Sequence, residues 1–344
     1  MELFKNKRLK HILALGFFLF LVVGTVLILR RSSEQNVWQL SEGPVFGTFY
    51  EVKYQYSEPL DEEILKSLEQ VDAACSIFNP ESTISKVNAG DSTFADTIFT
   101  YALLWADKVS RDTHGAFDYT VAPLVNAWGF GFKTGQFPTE AEIDSLRQFV
   151  GYDKVYWEHS QERGGLIRRA DKRTTLDFGG IAKGYGVDCV ARMLELKGVK
   201  NYMVMVGGEV VVKGINPEGK PWSVGVEEPV DDRSGATSEI NKILHIKNDG
   251  AVATSGNYRN YYYHNGRKIS HTIDPRTGHP AETTMLSASV FASTCMEADA
   301  LATAFMVMGP DSTRAFLARR PDIRAYIIYN DNGERRMWAS KGVE

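Results

Sequence analysis

Asp177-Phe-Gly-Gly-Ile-Ala-Lys-Gly-Tyr-Gly-Val-Asp188 packs four glycines, one lysine and a leading aspartate into twelve positions, directly after the strand-like Arg173-Thr-Thr-Leu176. The order reads as an extended segment, a tight turn and the start of a helix. Glycine lets backbone N–H groups approach a ligand closely, and a lysine beside such a loop neutralises phosphate. A segment of this kind entering a helix is a candidate cradle for a phosphorylated ligand. It has neither the Gly-x-x-x-x-Gly-Lys-Ser/Thr order of a Walker A loop nor the Gly-x-Gly-x-x-Gly spacing of a dinucleotide fingerprint. A bare strand-to-helix turn accounts for the glycines equally well, so the functional reading rests on Asp177 and Lys183. A lysine at a helix start opposes the helix dipole, which is unfavourable unless an anion is near.

C-terminal to this segment, the pattern predicts a helix over 185–196, ended near Gly198, then strands over 202–206, 209–213 and 222–227. Further strands are expected at 243–246, 251–254, 288–291 and 323–329, with helices at 297–308 and 312–319. On the N-terminal side, alternation over 45–56 predicts one strand, and Ile64, Leu65, Leu68, Val71 and Ala74 predict an amphipathic helix over 61–77. Helices at 99–109 and 139–149 follow, the second opened by Pro138 and Thr139, then strands at 154–157, 166–170 and 174–176. Strands and helices cluster rather than alternate. That indicates an α+β fold with one large mixed domain over 43–344, not a doubly wound sheet.

Lys and Arg number 39 against 43 Asp and Glu, a formal net charge of −4, without the clustered basic face of a nucleic-acid binder. Residues 12–29 form an uncharged apolar run, close to the roughly 20 residues needed to cross a bilayer. Lys5, Lys7, Arg8 and Lys10 precede it, and Arg30 and Arg31 follow. The larger positive cluster comes first, so 1–11 is expected to be a cytoplasmic tail, 12–29 a single-pass transmembrane signal anchor, and 30–42 a linker. The body then faces the periplasmic side of an inner membrane. A cleaved signal peptide needs a small-x-small site, which Val26-Leu-Ile-Leu-Arg-Arg31 does not offer, and no cysteine before Cys75 is available for lipidation. Cys75, Cys189 and Cys295 are too few and too widely spaced for a disulfide framework or a zinc site, and read as structural thiols.

Two further constellations carry chemistry. Ser270-His-Thr-Ile-Asp-Pro-Arg-Thr-Gly-His-Pro280 contains an evident turn, Asp-Pro-Arg-Thr-Gly, which by itself requires no histidine. His271 titrates near neutrality and is a candidate base for an attacking hydroxyl, although a lone histidine is more often a packed residue. In Thr294-Cys-Met-Glu-Ala-Asp-Ala-Leu-Ala-Thr303, Asp299 and Thr303 are four apart and share a helix face. A carboxylate with a hydroxyl suits a hard cation such as Mg²⁺, which completes its shell with waters and phosphates. The competing reading is a Thr294–Glu297 capping box, with Asp299 an acid favoured by the dipole and Thr303 close packing.

Taken together, these segments resemble the ApbE family, flavin transferases that attach FMN covalently to proteins. The resemblance runs from Phe46-Gly-Thr48 to Gly309, through Phe78-Asn-Pro-Glu-Ser82, Gly115-Ala-Phe-Asp-Tyr-Thr-Val-Ala-Pro-Leu124, Trp128-Gly-Phe-Gly131, 177–188, Val206-Gly-Gly208, Thr254-Ser-Gly256, 271–278 and Ala298-Asp299 with Thr303. It implies an ApbE-type α+β domain that binds FAD and Mg²⁺, moves the FMN half of FAD to a Ser or Thr hydroxyl of a target protein and releases AMP. The implied partner is the flavoprotein subunit of a membrane redox complex. The resemblance also implies that Asp299, Thr303 and a backbone carbonyl near Gly180 hold the metal, and that Phe46, Phe78, Ala116, Phe117, Asp118, Asp177, Lys183 and Ile273 line the FAD site. His271 falls at the family's histidine. Phe46 and Phe78 stand where methionine and tyrosine are common, so a phenol hydrogen bond from position 78 is lost. Asn257 stands where an acid is common. An FAD pyrophosphatase and a non-enzymatic flavin-binding protein are the alternatives that share this pocket.

Overall fold

The computed structural model describes residues 7–34, 37–90, 94–132, 137–160, 164–230, 240–246, 249–258, 260–264 and 266–343. The expected tail lies outside the described residues over 1–6, and the expected linker over 35–36.

The chain opens with a 28-residue helix, α1 (Lys7–Glu34), whose described apolar side chains, Phe17, Phe18 and Phe20 among them, are exposed. Among the described residues, no helix is long and apolar enough to cross a membrane. A hairpin follows, β1 (Trp38–Val45) and β2 (Thr48–Gln55). The single strand expected over 45–56 is therefore two, and β1 begins inside the expected linker. The break is a two-residue turn in which Phe46 (φ 49) and Gly47 (φ 72) both take left-handed backbone, the geometry that matches strand twist in tight hairpins. Nothing about a phenylalanine announces such a turn.

Next come α2 (Asp61–Cys75), α3 (Thr83–Ala89), β3 (Phe94–Ala95), α4 (Thr97–Asp112), α5 (Ala122–Ala127) and α6 (Glu140–Arg147). The expected opening of α6 holds: Thr139 caps the Glu142 N–H and Glu142 reaches back, a full capping box. A short meander, β4 (Val155–Ser160) and β5 (Gly164–Arg169), leads to the glycine segment. Residues 174–176, expected as a strand, pair with no strand among the described residues. The amide of Asn88 substitutes for one, accepting from the Leu176 N–H at 2.7 Å and donating to the Leu176 carbonyl at 2.8 Å.

Beyond lie α7 (Ala182–Leu196), β6 (Tyr202–Val206), β7 (Glu209–Lys213), β8 (Trp222–Glu227), β9 (Ile240–Ile246), β10 (Gly250–Gly256), β11 (Tyr261–His264), β12 (Arg267–Ser270), β13 (Met285–Ala292), α8 (Cys295–Arg319), β14 (Arg324–Asp331) and β15 (Glu334–Ala339). The two helices expected over 297–308 and 312–319 meet end to end in α8, with a kink at Gly309 (φ 76) ahead of Pro310. Proline has no N–H for the carbonyl four residues back. That carbonyl, of Met306, accepts instead from the Thr283 hydroxyl at 2.9 Å.

Eight strands form one antiparallel sheet in the order β1-β2-β6-β7-β10-β13-β14-β15. One face is covered by α2, α4, α7 and α8, whose apolar stripes meet Val52, Val204, Ala253, Ala288 and Ile327 in two adjoining cores. The other face, Val210, Val212, Val252 and Ile328, is covered by the β8–β9 hairpin through Trp222, Val226, Leu244 and Ile246. A satellite core of Leu124, Ile143, Val150 and Ile273 ties α5 and α6 to the turn after β12. Mixed helix and strand in clusters is the architecture expected from the sequence. All three cysteines are free thiols, Cys75 and Cys295 fully enclosed.

Candidate functional site

A cleft of about 730 Å³ opens where the glycine segment, the β6–β7 turn, β8, the end of β10, the turn after β12 and α8 converge. Its floor is the crossing of α7 and α8, and glycine makes that crossing possible. A Cβ on Gly184 would stand 2.4 Å from the Cys295 carbonyl oxygen and 2.9 Å from the Asp299 Cβ. Gly180 lies against Thr303, where a Cβ would meet the hydroxyl at 3.1 Å, and Gly186 gives room to the Phe46 ring. Three of the segment's glycines are therefore close-approach positions rather than turn positions.

The two helices satisfy each other's ends. No side chain of the preceding residue, Ile181, caps α7. Instead Asp299 Oδ2 of α8 accepts from the Gly184 N–H at 3.1 Å, while Asp188 of α7 accepts from the Cys295 and Met296 N–H groups at 2.8 and 2.9 Å. Thr294 caps α8 through the Glu297 N–H, as expected, but Glu297 does not close a capping box. It is buried against Arg320 (2.9 Å) and Lys108 (3.5 Å).

Lys183 projects from the first turn of α7 into the cleft. Its Nζ stands 3.0 Å from Glu209 Oε1 and 3.7 Å from Asp299 Oδ1. Burial alone would lower its pKa, but the two carboxylates outweigh burial and hold it charged, above the ordinary lysine range. Burial pushes the Glu209 carboxyl up, and Lys183 pulls the other way. Glu209 Oε2 is fully enclosed and has no hydrogen-bond partner among the described residues. Thr303 Oγ1 lies 3.4 Å from Ser255 Oγ at the end of β10. The oxygens of Asp299, Thr303, Ser255 and Glu209 make a hard donor set, and the orphaned Glu209 oxygen invites positive charge. They fit a small divalent ion with few protein ligands. Among the described residues, no group of three or more His, Cys, Asp and Glu side chains could hold a metal, so any ion here depends on hydroxyl, backbone or substrate oxygens.

His271 enters from the segment after β12. The Asn260 carbonyl lies 3.1 Å from its Nδ1 and also accepts its backbone N–H at 3.1 Å. A carbonyl only accepts, so Nδ1 carries the hydrogen and Nε2 is left as the basic nitrogen. Burial, with a smaller contribution from Lys183, holds the imidazolium below its ordinary pKa, so the ring is neutral at pH 7. Phe130 stands edge-on to it at 6.3 Å and stacks on Tyr262 at 4.9 Å. The neighbouring Asp-Pro-Arg-Thr-Gly turn closes on itself: Asp274 holds Arg276 with two 2.9 Å contacts, and its carbonyl accepts from Gly278.

Of the residues expected at the site, Ala116, Phe117, Asp118, Asp177, Gly180, Lys183, His271, Ile273, Asp299 and Thr303 all line the cleft. Asp118 is held by the N–H groups of Thr120 and Tyr152 and the Thr120 hydroxyl, and burial raises its pKa. Asp177 accepts from the Gly179 N–H at 2.7 Å, and burial raises its pKa too. Phe46 and Phe78 do not line it. Phe46 packs inward against both cores, and Phe78 is 75% exposed, its ring 5.2 Å from Phe132. Glu209 and Asn260 belong to the cleft and were not singled out by sequence, and Ser255, inside the quoted Thr254-Ser-Gly256 motif, was given no role there. The signal for Glu209 was the Gly207-Gly208 pair before it, since two glycines ending a strand mark a hairpin and fix where the next side chain points. Asn257 donates to the Met285 carbonyl at 2.9 Å, a bond an ionised acid cannot make.

Among families of known proteins, the ApbE family matches residues 46–327 of the chain. An FAD:protein FMN transferase of Vibrio cholerae is 36% identical over 327 residues, which cover 91% of this chain and 95% of that protein. One of Haemophilus influenzae is 37% identical over 316 residues, covering 87% and 89%. Among solved structures, the flavin transferase ApbE of Vibrio cholerae matches with a TM-score of 0.77 at 33% identity, over 89% of this chain and 97% of that one. The apo flavinyl transferase ApbE of Pseudomonas stutzeri matches with a TM-score of 0.77 at 31% identity, over 89% and 96%.

Proposed function

The chain belongs to the ApbE family and is a transferase, and on that premise we propose that it moves the FMN half of FAD onto a Ser or Thr hydroxyl of a protein, releasing AMP. The observation that carries this reading is the meeting of Lys183, Asp299, Thr303 and the free Nε2 side of His271 in one cleft behind the glycine segment. Its volume, about 730 Å³, is in the range of cofactor-sized sites.

The acceptor hydroxyl attacks the FMN-side phosphorus, the bond from that phosphorus to the bridging oxygen breaks, and AMP leaves with the bridging oxygen. His271 Nε2 takes the hydroxyl proton. Such a transfer needs positioning and neutralised phosphate charge more than covalent help. Lys183 supplies fixed positive charge, and the glycine segment lets backbone N–H groups come close. Asp299, Thr303 and a carbonyl near Gly180 would hold Mg²⁺, which supplies Lewis-acid stabilisation of the phosphates when bound. Ala116 to Asp118, Asp177 and Ile273 shape the FAD cleft.

The acceptor in this proposal is a flavoprotein subunit of a membrane redox complex, and the apolar run 12–29 anchors the domain on the extracytoplasmic side of the inner membrane. The deciding experiment incubates the full chain in detergent with FAD, Mg²⁺ and an acceptor domain, and reads mass and nucleotide products. Added FMN on a Ser or Thr with one AMP per label is the expected result. Free FMN and AMP beside an unlabelled, competent acceptor would replace transfer by hydrolysis. Intact bound FAD without AMP would leave only a flavin-binding protein.

A further inference from the structure

Glu209 and Asp299 are 3% and 2% exposed, and they come from different elements, β7 and α8, to face one ammonium group. Two buried carboxylates this close need a cation, because an unpaired buried charge is strongly unfavourable. In the ligand-free protein that cation is Lys183. It is shared unequally: Glu209 holds it at 3.0 Å, whereas Asp299 stands at 3.7 Å and spends its other oxygen on the Gly184 N–H.

Glu209 is also the more rigidly placed partner. Gly207 (φ 58) and Gly208 (φ 101) form a two-residue hairpin turn, and Val206 pairs with Glu209 as the last rung of the β6–β7 ladder. A Cβ on Gly207 would stand 2.9 Å from Thr48, so the turn is wedged against β2. The second Glu209 oxygen, enclosed and without a partner among the described residues, leaves this carboxylate with unused capacity for positive charge.

We propose that Lys183 is the resident cation of the Asp299–Glu209 pair, and that Glu209 acts as a positioning residue that keeps the ammonium off Asp299 so that a divalent ion can take it. This rests on the reading of Asp299 and Thr303 as metal ligands. Lysine and metal then compete for one carboxylate, and Glu209 sets the balance between them.

The test is Mn²⁺ binding to the full chain without FAD, read from the free-ion EPR signal, which is independent of turnover. Lys183→Met removes the competitor and is expected to tighten Mn²⁺ by about tenfold or more. Glu209→Gln lets the ammonium settle on Asp299 and is expected to weaken Mn²⁺ by a similar factor. Lys183→Met alone leaves two buried carboxylates and can fail to fold. The double variant Lys183→Met/Glu209→Gln removes the charges together and is expected to bind Mn²⁺ more tightly than Glu209→Gln. Weaker or unchanged binding on loss of Lys183 in either background overturns the proposal, as does unchanged or tighter binding in Glu209→Gln. Undiminished binding in Asp299→Asn overturns the metal reading beneath it, a separate outcome.

Discussion

Asp188 on α7 and Asp299 on α8 cap each other's helices, each carboxylate accepting from the first-turn N–H groups of the opposite helix. Asp188 receives two N–H groups and Asp299 one, so the crossing is tied at both ends by the carboxylate of the facing helix. Removing a capping side chain costs about 1–2 kcal/mol. Asp188→Ala is expected to fall at or above the top of that range, because it strips two buried N–H groups at once. Urea unfolding at fixed pH measures it.

The same residue makes stability depend on pH. Burial raises the Asp188 carboxyl to about 7, against the pull of its two N–H bonds. An unfolded aspartate loses its proton near about pH 4. Between these values the native state holds a proton that the unfolded chain has released, so stability falls as pH rises and levels off above about 7. Unfolding free energies of wild type and Asp188→Asn at about pH 5 and about pH 8 are expected to differ in slope, with the steeper decline in wild type. Equal slopes would show that Asp188 titrates normally.

Gly184 and Gly186 lie two positions apart on α7, yet their alanine variants should differ. At Gly184 the new methyl meets the Cys295 carbonyl, which is backbone, whereas at Gly186 it meets the edge of the Phe46 ring, which can tilt. Gly184→Ala is expected to cost about 3 kcal/mol or more and Gly186→Ala about 1. Thermal melts of the two variants, side by side, give the comparison.

His271→Asn keeps a side chain of similar reach but no base. Transfer is expected to slow by about a hundredfold to ten-thousandfold, with FAD affinity little changed. Because burial lowers the imidazolium pKa, the acid limb of the wild-type rate profile should lie below about pH 6.5. A limb at or above that value would assign the proton elsewhere.

Thr303→Val tests the metal reading more cleanly than any change at Asp299, which also caps a helix. The hydroxyl's partner in the protein is Ser255, at a loose 3.4 Å, so stability should change by less than about 1 kcal/mol. The Mg²⁺ concentration giving half-maximal labelling is expected to rise by about tenfold or more.

Phe78→Ala removes an exposed ring, and stability is expected to stay within about 0.5 kcal/mol. The ring lies outside the cleft lining, so FAD affinity, read by fluorescence titration, is expected to stay unchanged; a loss of about threefold or more would bring Phe78 into the site.

What was legible in sequence follows the strength of local signals. Strands over 202–206, 209–213 and 222–227 match β6, β7 and β8, because short runs rich in valine and aromatic residues are bounded there by the Gly207-Gly208 pair and by turns. Helix α7 was legible from its glycine-rich entry, and ten of the residues singled out by sequence line one cleft. The misses share a cause: they depend on partners far along the chain. Residues 174–176 have strand composition, but Asn88 takes the backbone bonds of Leu176, and Asp171 and Arg169 take those of Thr174. Phe46 gives no turn signal, and its inward packing depends on the space left by Gly186. Glu209, alone among valines, reads as a solvated strand residue until Lys183 arrives from another element.

The short passage from α1 to β1 has a consequence for how an acceptor is met. Helix α1 ends at Glu34 and β1 starts at Trp38, four residue steps on, a leash of at most about 14 Å even at full stretch. On the proposed anchoring of 12–29 in a bilayer, that leash would deny the domain any long excursion. Encounter would then become a search in two dimensions: the domain would patrol a thin layer at the lipid surface, and the hydroxyls within its reach would be those whose own carriers are moored at the same height.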